Sequence, residues 1–369
     1  MRNPRYSEVL VASLPCGYPV RVGSGVRALL PEAVAGSAPS GRCALITDDS
    51  VGALWGREVA GSLTAAGIDV VTASFPAGEA HKTRETWAAL TDVLMEAGLG
   101  RDSCVVALGG GVVGDVAGFV AATFLRGVPV IQVPTTTLAM IDASVGGKTG
   151  VDHSAGKNLV GAFHAPVAVL ADPEFLGTLK AGVRAEGFAE ALKHGVIADA
   201  GYAEWLAANA GPLLGAASGP VERAVRRSVE IKADVVSADE FEAGRRQVLN
   251  LGHTVAHAIE LHSGYALPHG HAVAVGMVAE ARIGESLGVT ARGTAEEVRR
   301  LVRAFGLPDF HSGFLRPGRL ARLMTRDKKT RSGVAHIVRL FEVGRGGEGD
   351  GTTIPVPDED LVRIMKGWS

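Results

Sequence analysis

The sequence predicts an α/β N-terminal domain of the Rossmann-like type with a parallel sheet, followed by a mainly α-helical C-terminal domain. Up to about residue 172, short runs of β-branched residues alternate with helical stretches. That alternation is typical of a mostly parallel sheet with helices on its faces. Beyond residue 173 the strand signals thin out. We therefore expect two domains, 1–172 and 173–369.

Individual elements follow from the periodicity of the apolar residues. Buried strands of the first domain are predicted at 44–47, 68–72, 104–108, 130–134 and 167–170. Helices are predicted between these strands at 52–66 and 84–99. In the second domain, helices are predicted at 184–198, 202–214, 220–237, 251–262, 271–287 and 294–305. Only 335–341 and the glycine-rich stretch 344–351 suggest a late hairpin.

Composition narrows the class of protein. The chain has 369 residues, too many for one small core, and 47% of them are hydrophobic. Its 49 glycines are spread along the chain, which favours an α/β enzyme over a disordered or collagen-like protein. A net charge of -2 argues against a nucleic-acid-binding surface, which needs a basic excess.

The cysteines and the apolar runs indicate where the protein resides. Cys16, Cys43 and Cys104 are odd in number and far apart, so neither a disulfide framework nor a cysteine zinc site is expected. The N-terminus has no apolar signal core. No apolar run is long enough for a membrane span. We expect a soluble protein of the reducing cytoplasm, without a membrane partner.

A glycine-rich turn follows the predicted strand 104–108. The run Gly109–Asp115 satisfies G-x-G-x-x-G and leads into a helix, where glycines let the backbone approach a pyrophosphate at the helix N-terminus. The alternative is a tight strand–helix turn, because a lone match of this kind is weak. The run also lies on a middle strand, and the usual ribose-binding acid downstream is missing.

Other polar groups follow other strands of the predicted sheet. Asp48 and Asp49 end one strand, Gly78–Lys82 forms a second turn, and three threonines from Thr135 follow a third strand. Taken alone, the threonines are better explained as helix caps. In an open parallel sheet, however, all these groups lie along the crevice where ligands bind. Together they favour a dinucleotide cofactor.

Histidines point to a metal site in the second half. Six of the eleven lie between 194 and 271. His253 and His257 stack one turn apart on a helix, His269 follows, and Glu190 supplies a carboxylate. Two imidazoles and a carboxylate are the ligands of a catalytic zinc. The alternatives are ordinary surface histidines, a His253–His257 ligand pair, or His194, which lies one turn from Glu190.

Basic residues predict an anionic ligand. Arg126 ends a helix, Lys148 follows two glycines, and Lys157 precedes Asn158. Gly147-Lys-Thr resembles the end of a phosphate-binding P-loop, but Asp142 stands where that motif needs its first glycine, so we reject an ATP site. A glycine loop with a lysine still binds anions well. Lys328 and Lys329 are explained equally well as a solvated charge run.

These motifs resemble the 3-dehydroquinate synthase family of sugar phosphate cyclases. The matching stretches occur in the family's order between about 45 and 330. They are Gly109–Asp115, Arg126–Gly127, Val133–Thr136, Asp142–Thr149, Gly156–Asn158, Ala189–Lys193, Leu249–His253, His257 and His269–Gly270. The resemblance implies an NAD domain, a helical metal domain and a homodimer. Where the family usually has Glu after His269-Gly, this chain has His271.

Site residues carry over from the family motif by motif. The metal ligands implied are Glu190, His253 and His269. Catalytic residues implied are Lys148, Lys193, Lys232, Arg246, Asn250 and His257. Substrate-binding residues implied are Arg126, which can come from the partner subunit, together with Lys157, Asn158 and one of Lys328 and Lys329. NAD-binding residues implied are Asp48, Glu79, Lys82, Gly110, Gly111, Gly114, Asp115, Thr135, Thr136 and Asp142.

The implied activity uses NAD and zinc, with cobalt fitting similar ligands, on a small anionic sugar phosphate. It converts 3-deoxy-D-arabino-heptulosonate 7-phosphate to 3-dehydroquinate and phosphate, a step of the shikimate pathway. The steps are transient oxidation, phosphate elimination, re-reduction, ring opening and aldol closure. Alternatives are an aminodehydroquinate synthase or another secondary-metabolic cyclase, a metal-dependent polyol dehydrogenase, and a non-catalytic NAD- or zinc-binding regulator.

Overall fold

A computed structural model describes residues 6–12, 17–325, 334–347 and 351–368. These residues form two compact units. The first, the sheet unit, runs to Leu179 and includes Val221–Ser237; the second, the helical unit, comprises Lys180–Pro220 and the chain from Ala238 onward. The predicted division at residue 172 assigns residues 221–237 to the second domain, whereas in the structure they belong to the sheet unit. The periodicity of the sequence predicts the helix at 220–237, but it does not show which unit that helix packs against.

The described residues form thirteen β-strands. They are β1 Ser7–Val11, β2 Tyr18–Val22, β3 Arg42–Asp48, β4 Asp69–Phe75, β5 Cys104–Gly109, β6 Val130–Pro134, β7 Lys148–His153, β8 Gly156–Phe163, β9 Ala168–Ala171, β10 Ala335–Val338, β11 Leu340–Glu342, β12 Arg345–Gly346 and β13 Thr353–Val356.

The described residues also form fourteen α-helices. They are α1 Leu30–Ser37, α2 Asp49–Val51, α3 Arg57–Ala65, α4 Arg84–Glu96, α5 Gly111–Thr123, α6 Ala181–Ala198, α7 Ala200–Ala208, α8 Ala210–Leu214, α9 Ser218–Ala238, α10 His253–His262, α11 His269–Ser286, α12 Thr294–Ala304, α13 Pro317–Met324 and α14 Asp358–Lys366. Short 3₁₀ turns include Glu79–His81, Phe124–Arg126, Pro173–Thr178 and Arg245–Asn250.

A seven-stranded sheet forms the centre of the sheet unit. Its order is β1-β2-β9-β6-β5-β3-β4, and every neighbouring pair is parallel except β1 with β2. The predicted α/β class with a parallel sheet is therefore confirmed. Sequence analysis missed the first two strands, β1 at the edge of the sheet and β2 beside it. It also missed the separate antiparallel hairpin β7–β8, whose glycines and charged residues obscure the strand pattern.

Helix α5 lies directly on the sheet because its glycines remove side chains from the contact. A Cβ atom on Gly114 would come within 2.9 Å of the Gln132 side-chain oxygen on β6. The Gln132 amide instead donates a hydrogen bond to the Gly114 carbonyl at 3.1 Å. The N-terminus of α5 is thereby held at the carboxyl end of the sheet, beside β5 and β6.

The helical unit is mainly α-helical, as predicted, with two small antiparallel sheets. β10 pairs with β13, and β11 pairs with β12. The predicted hairpin of 335–341 with 344–351 is thus correct only for β11 and β12, because 335–338 pairs further along the chain. None of the described helices is long and apolar enough to cross a membrane. Cys43 and Cys104 are buried free thiols.

Two helix junctions of this unit depend on close backbone contact. A Cβ atom on Gly276 of α11 would lie 2.0 Å from the Gly252 carbonyl oxygen, just before α10. A Cβ atom on Gly270, at the start of α11, would lie 2.2 Å from the Glu186 carbonyl oxygen of α6. Glycine is therefore required at both contacts, which bring together the beginnings of α10 and α11 and the middle of α6.

A buried carboxylate joins two loops of the sheet unit. Asp172, which is 0% exposed, accepts hydrogen bonds from the backbone N–H groups of Gly25 and Glu174, both at 3.1 Å. It also pairs with Arg27 at 2.6 Å. The same guanidinium pairs with Glu174 at 2.6 Å, but the Glu174 side chain is 48% exposed.

We predict that Asp172→Ala lowers the free energy of unfolding by about 3 kcal/mol, because it removes a fully buried carboxylate that pairs with Arg27 and accepts two part-buried backbone N–H groups. Glu174→Ala, which removes the exposed partner of the same arginine, should cost less than about 1 kcal/mol. Urea unfolding followed by circular dichroism measures both. Equal losses for the two variants would contradict the assignment.

Candidate functional site

Four polar loops lie along one edge of the sheet. Strands β6, β5, β3 and β4 are parallel neighbours in that order. The loops that leave their carboxyl ends contain Thr135, Gly110, Asp48 and Glu79, respectively. Asp48 also caps the following turn by accepting the Val51 N–H at 2.8 Å. Since carboxyl ends of parallel strands share an edge, the predicted cofactor residues lie along one crevice.

The middle of this edge has the features of an anion- and nucleotide-binding surface. The first turn of α5 follows Gly110 and receives no side-chain cap from the described residues. Its N–H groups and the positive end of the helix dipole are thus available to a phosphate. The hydroxyls of Thr135 and Thr137 are buried without a hydrogen-bond partner in the described part of the chain. The donor set therefore fits a dinucleotide.

A polar cluster joins this crevice to the β7–β8 hairpin. Lys82, which is 4% exposed, donates to Asp115 at 2.5 Å and also to Asn158. Lys157, beside Asn158, pairs with Glu79 at 3.4 Å. Burial lowers the pKa of Lys82, but Asp115 and Glu79 outweigh it and raise that pKa above its ordinary value. Lys82 is therefore a permanent cation between predicted cofactor and substrate residues.

The other predicted basic groups of the sheet unit are arranged separately. Buried Lys232 of α9 pairs with the Asp142 carboxylate at 2.7 Å and donates to the Asp142 carbonyl at 2.5 Å. Lys148 begins β7 and is exposed, and Arg126 is exposed with a positive φ of 72°. Lys232 is thus held by contacts to Asp142, whereas Lys148 and Arg126 are exposed. Lys328 and Lys329 lie outside the described residues.

The helical unit brings three potential metal ligands together. Glu190 of α6 is buried, and its Oε1 lies 3.6 Å from His253 Nε2 and 3.5 Å from His269 Nε2. Potential ligand atoms of these residues all lie within 4.8 Å of one another. Two imidazoles and one carboxylate match a catalytic zinc site, whose remaining position is open. This is the set that the family resemblance implied.

Each imidazole is oriented by a contact to its other ring nitrogen. His253 Nδ1 lies 3.2 Å from the Leu251 carbonyl, and His269 Nδ1 lies 3.4 Å from Glu260 Oε1. Such contacts fix the tautomer that presents Nε2 to a metal. Sequence analysis missed Glu260. Its position seven residues after His253, on the same face of α10, was the available signal.

The charge of the cluster favours a cation. Buried Glu190 also pairs with Lys193, one turn along α6. Burial lowers the pKa of His269, but the carboxylates of Glu190 and Glu260 outweigh it and raise the pKa to about 9. Two buried carboxylates, Glu190 at Nε2 and Glu260 at Nδ1, therefore stabilise positive charge on the His269 ring. A divalent metal ion satisfies the same requirement.

The competing histidine assignments have different geometry. His257 packs edge-on against His253, with ring centroids 5.8 Å apart, but the described ligand group contains His269 instead. His194 is buried within α6, and His262 lies against His311 at 5.9 Å. The described geometry thus favours the ligand pair of His253 and His269 over the i,i+4 pair.

Arg246 and Asn250 belong to the 3₁₀ turn that precedes α10. Arg246 is 2% exposed, and its Nη1 donates to the Glu240 carbonyl at 2.5 Å. The Asn250 amide donates to Glu242 Oε1 at 2.6 Å. Both side chains, which were predicted to be catalytic, are therefore held by one short loop.

Two family models match successive parts of the chain. The family model for the N-terminal part of 3-dehydroquinate synthase matches residues 72–185, and the model for its C-terminal part matches 187–330. A 3-dehydroquinate synthase of Symbiobacterium thermophilum is 46% identical over 329 residues, which are 89% of this chain and 92% of the relative. The matched stretches contain every predicted metal ligand.

Solved structures of other cyclases share the fold. A 2-deoxy-scyllo-inosose synthase complexed with carbaglucose-6-phosphate, NAD+ and Co2+ aligns with a TM-score of 0.87 and 25% identity, covering 98% of this chain and 99% of that one. The 2-epi-5-epi-valiolone synthase from Streptomyces hygroscopicus, with NAD+ and Zn2+ bound, aligns with a TM-score of 0.84 and 26% identity, covering 100% and 99%.

We predict that Gly270→Ala weakens zinc binding by about tenfold or more, because the added Cβ pushes the start of α11, and with it His269, away from Glu190. Gly182→Ala on α6 is the matched control, since nothing lies within 4 Å of its Cβ position. Competition with a chromogenic chelator measures the affinity. Wild-type affinity in Gly270→Ala would refute the proposed packing constraint.

We also predict that zinc binding strengthens with pH. Because His269 has a pKa of about 9 without metal, zinc must displace its proton at lower pH. The apparent association constant should rise about tenfold per pH unit between about pH 6 and 8. Chelator competition across that range measures the slope, with His311→Gln as a control that leaves it unchanged. A flat profile would show that His269 is not a ligand.

Proposed function

Because the chain belongs to the 3-dehydroquinate synthase family, we propose that it converts 3-deoxy-D-arabino-heptulosonate 7-phosphate to 3-dehydroquinate and phosphate. The reaction proceeds by transient oxidation, phosphate elimination, re-reduction, ring opening and intramolecular aldol closure. The observation that carries the proposal is the grouping of Glu190, His253 and His269 in a chain that also has a nucleotide-binding sheet edge.

The basic residues bind the substrate. It carries a carboxylate and a phosphate, and a protein with a net charge of -2 must concentrate its cations locally to hold both. Lys148, Lys193, Lys232, Arg246 and Asn250 contact substrate and orient it, together with Lys157, Asn158 and one of Lys328 and Lys329. Holding one substrate in a fixed pose supplies much of the rate enhancement.

Two groups that the protein must bind supply the remaining chemistry. When bound, NAD provides a reversible hydride acceptor, and zinc or cobalt provides a Lewis acid that acidifies a substrate hydroxyl. Glu190, His253 and His269 hold the metal. Asp48, Glu79, Lys82, Asp115 and the α5 N-terminus hold NAD, with Gly110, Gly111, Gly114, Thr135, Thr136 and Asp142. His257, packed on His253, moves the proton of the reacting hydroxyl or ring oxygen.

The assembly and location follow from the family. We infer a homodimer, in which the exposed Arg126 reaches the phosphate of the substrate bound by the partner subunit. A cytoplasmic location suits an enzyme of the shikimate pathway. The amino analogue of the substrate remains the second candidate, because the same cations suit both molecules.

The first experiment follows phosphate release and dehydroquinate absorbance together, using zinc-loaded protein, the heptulosonate phosphate and catalytic NAD. We expect equal amounts of both products without accumulation of NADH, because the cycle has no net redox change. Phosphate without dehydroquinate would favour a related cyclase. NADH accumulating on polyols would favour a dehydrogenase instead.

We predict that Lys148→Ala lowers kcat/KM by about 100-fold while its affinity for NAD stays unchanged. Lys366→Ala is the control and should keep the kcat/KM of the wild type.

A further inference from the structure

One carboxylate organises the loop between α9 and the 3₁₀ turn Arg245–Asn250. Asp239 Oδ1 accepts the Ala243 N–H at 2.9 Å, and Oδ2 accepts the N–H groups of Gly244 at 2.8 Å and Arg246 at 3.0 Å. Burial raises the pKa of Asp239, but these three donors outweigh it and hold the pKa below its ordinary value. Asp239 is therefore ionised and fixes three successive parts of the loop.

The same loop holds two side chains that belong to the proposed substrate site. Its Glu240 carbonyl accepts from Arg246 Nη1, and its Glu242 carboxylate accepts from the Asn250 amide. Glu242 has a φ of 59°, a left-handed conformation that is unfavourable for this residue type unless neighbouring contacts maintain it. The hydrogen bonds of Asp239, which precedes Glu242, to the N–H groups that follow Glu242 close the turn around that strained position.

We propose that Asp239 is a positioning residue of this enzyme: by closing loop 239–246 it sets the guanidinium of Arg246 and the amide of Asn250 for the anionic substrate. The inference rests on the proposed function of those two side chains. Without the Asp239 carboxylate, Glu242 relaxes from its left-handed conformation, and both donors lose the acceptors that orient them. A displacement of about 1 Å at such a group can cost about 100-fold in rate.

The test compares Asp239→Ala, Asp239→Asn and the control Asp234→Asn. Asp234 lies on an exposed face of α9, and its replacement removes the same charge without touching the loop. We expect Asp239→Ala to lower kcat/KM by about 100-fold, mainly through a higher KM, while the affinities for NAD and zinc stay within about twofold. Asp239→Asn keeps one acceptor oxygen and should show an intermediate loss. Asp234→Asn should match the wild type.

A double-mutant cycle identifies the route of the effect. If Asp239 acts through Arg246, then adding Asp239→Ala to Arg246→Ala should cost little further activity, less than about threefold. Hydrogen exchange provides a readout that does not depend on turnover. The amides of Ala243, Gly244 and Arg246 should lose protection in Asp239→Ala and keep it in Asp234→Asn.

Each result decides the question. Fully additive losses in the cycle, unchanged kinetics in Asp239→Ala, or equal losses of substrate, NAD and zinc affinity would overturn the positioning role and leave the proposed function intact. A wild-type protein that neither turns over nor binds the heptulosonate phosphate would overturn both. A selective rise in KM together with the local loss of protection would establish the role.

Discussion

Glu190 places a carboxylate in the interior of the helical unit, where water does not compensate its charge. Such a charge is tolerated only when cations or strong hydrogen-bond donors surround it. Lys193 and the imidazoles of His253 and His269 supply these contacts, and they come from three different helices. The close glycine contacts at Gly270 and Gly276 are what allow the three helix segments to meet. The packing of α6, α10 and α11 therefore depends on the need to compensate the buried charge of Glu190.

The sheet unit is governed by a different constraint, the common direction of its central strands. Because β6, β5, β3 and β4 are parallel neighbours, each contributes its following loop to one edge. The polar cluster around Lys82 then joins that edge to the β7–β8 hairpin through Asp115 and Asn158. Residues predicted for the cofactor and for the substrate thus share hydrogen bonds, so changes at Lys82 should affect both kinds of binding.

How much the sequence could predict depends on the range of the interactions. Strand alternation was sufficient to predict the parallel central strands, and the polar residues after them predict a ligand-binding edge. The proposed metal-ligand set came from motif resemblance, because spacing alone left His257 and His194 as competitors. Glu260 and Asp239 were missed, since the roles we propose for them rest on contacts that depend on the register of a helix and the closure of a turn.

The return of α9 to the sheet unit illustrates the same limit in another way. Its periodicity gives a helix but does not identify the face on which it packs. The structure answers this with two polar contacts: Glu222 accepts from the Ser24 backbone and hydroxyl, and Lys232 pairs with Asp142. Lys232, predicted to be catalytic, and Asp142, predicted to bind the cofactor, are thereby held within one unit. A cation whose position is fixed by an ion pair loses little freedom when an anion binds, which suits the proposed role of Lys232 in holding the substrate.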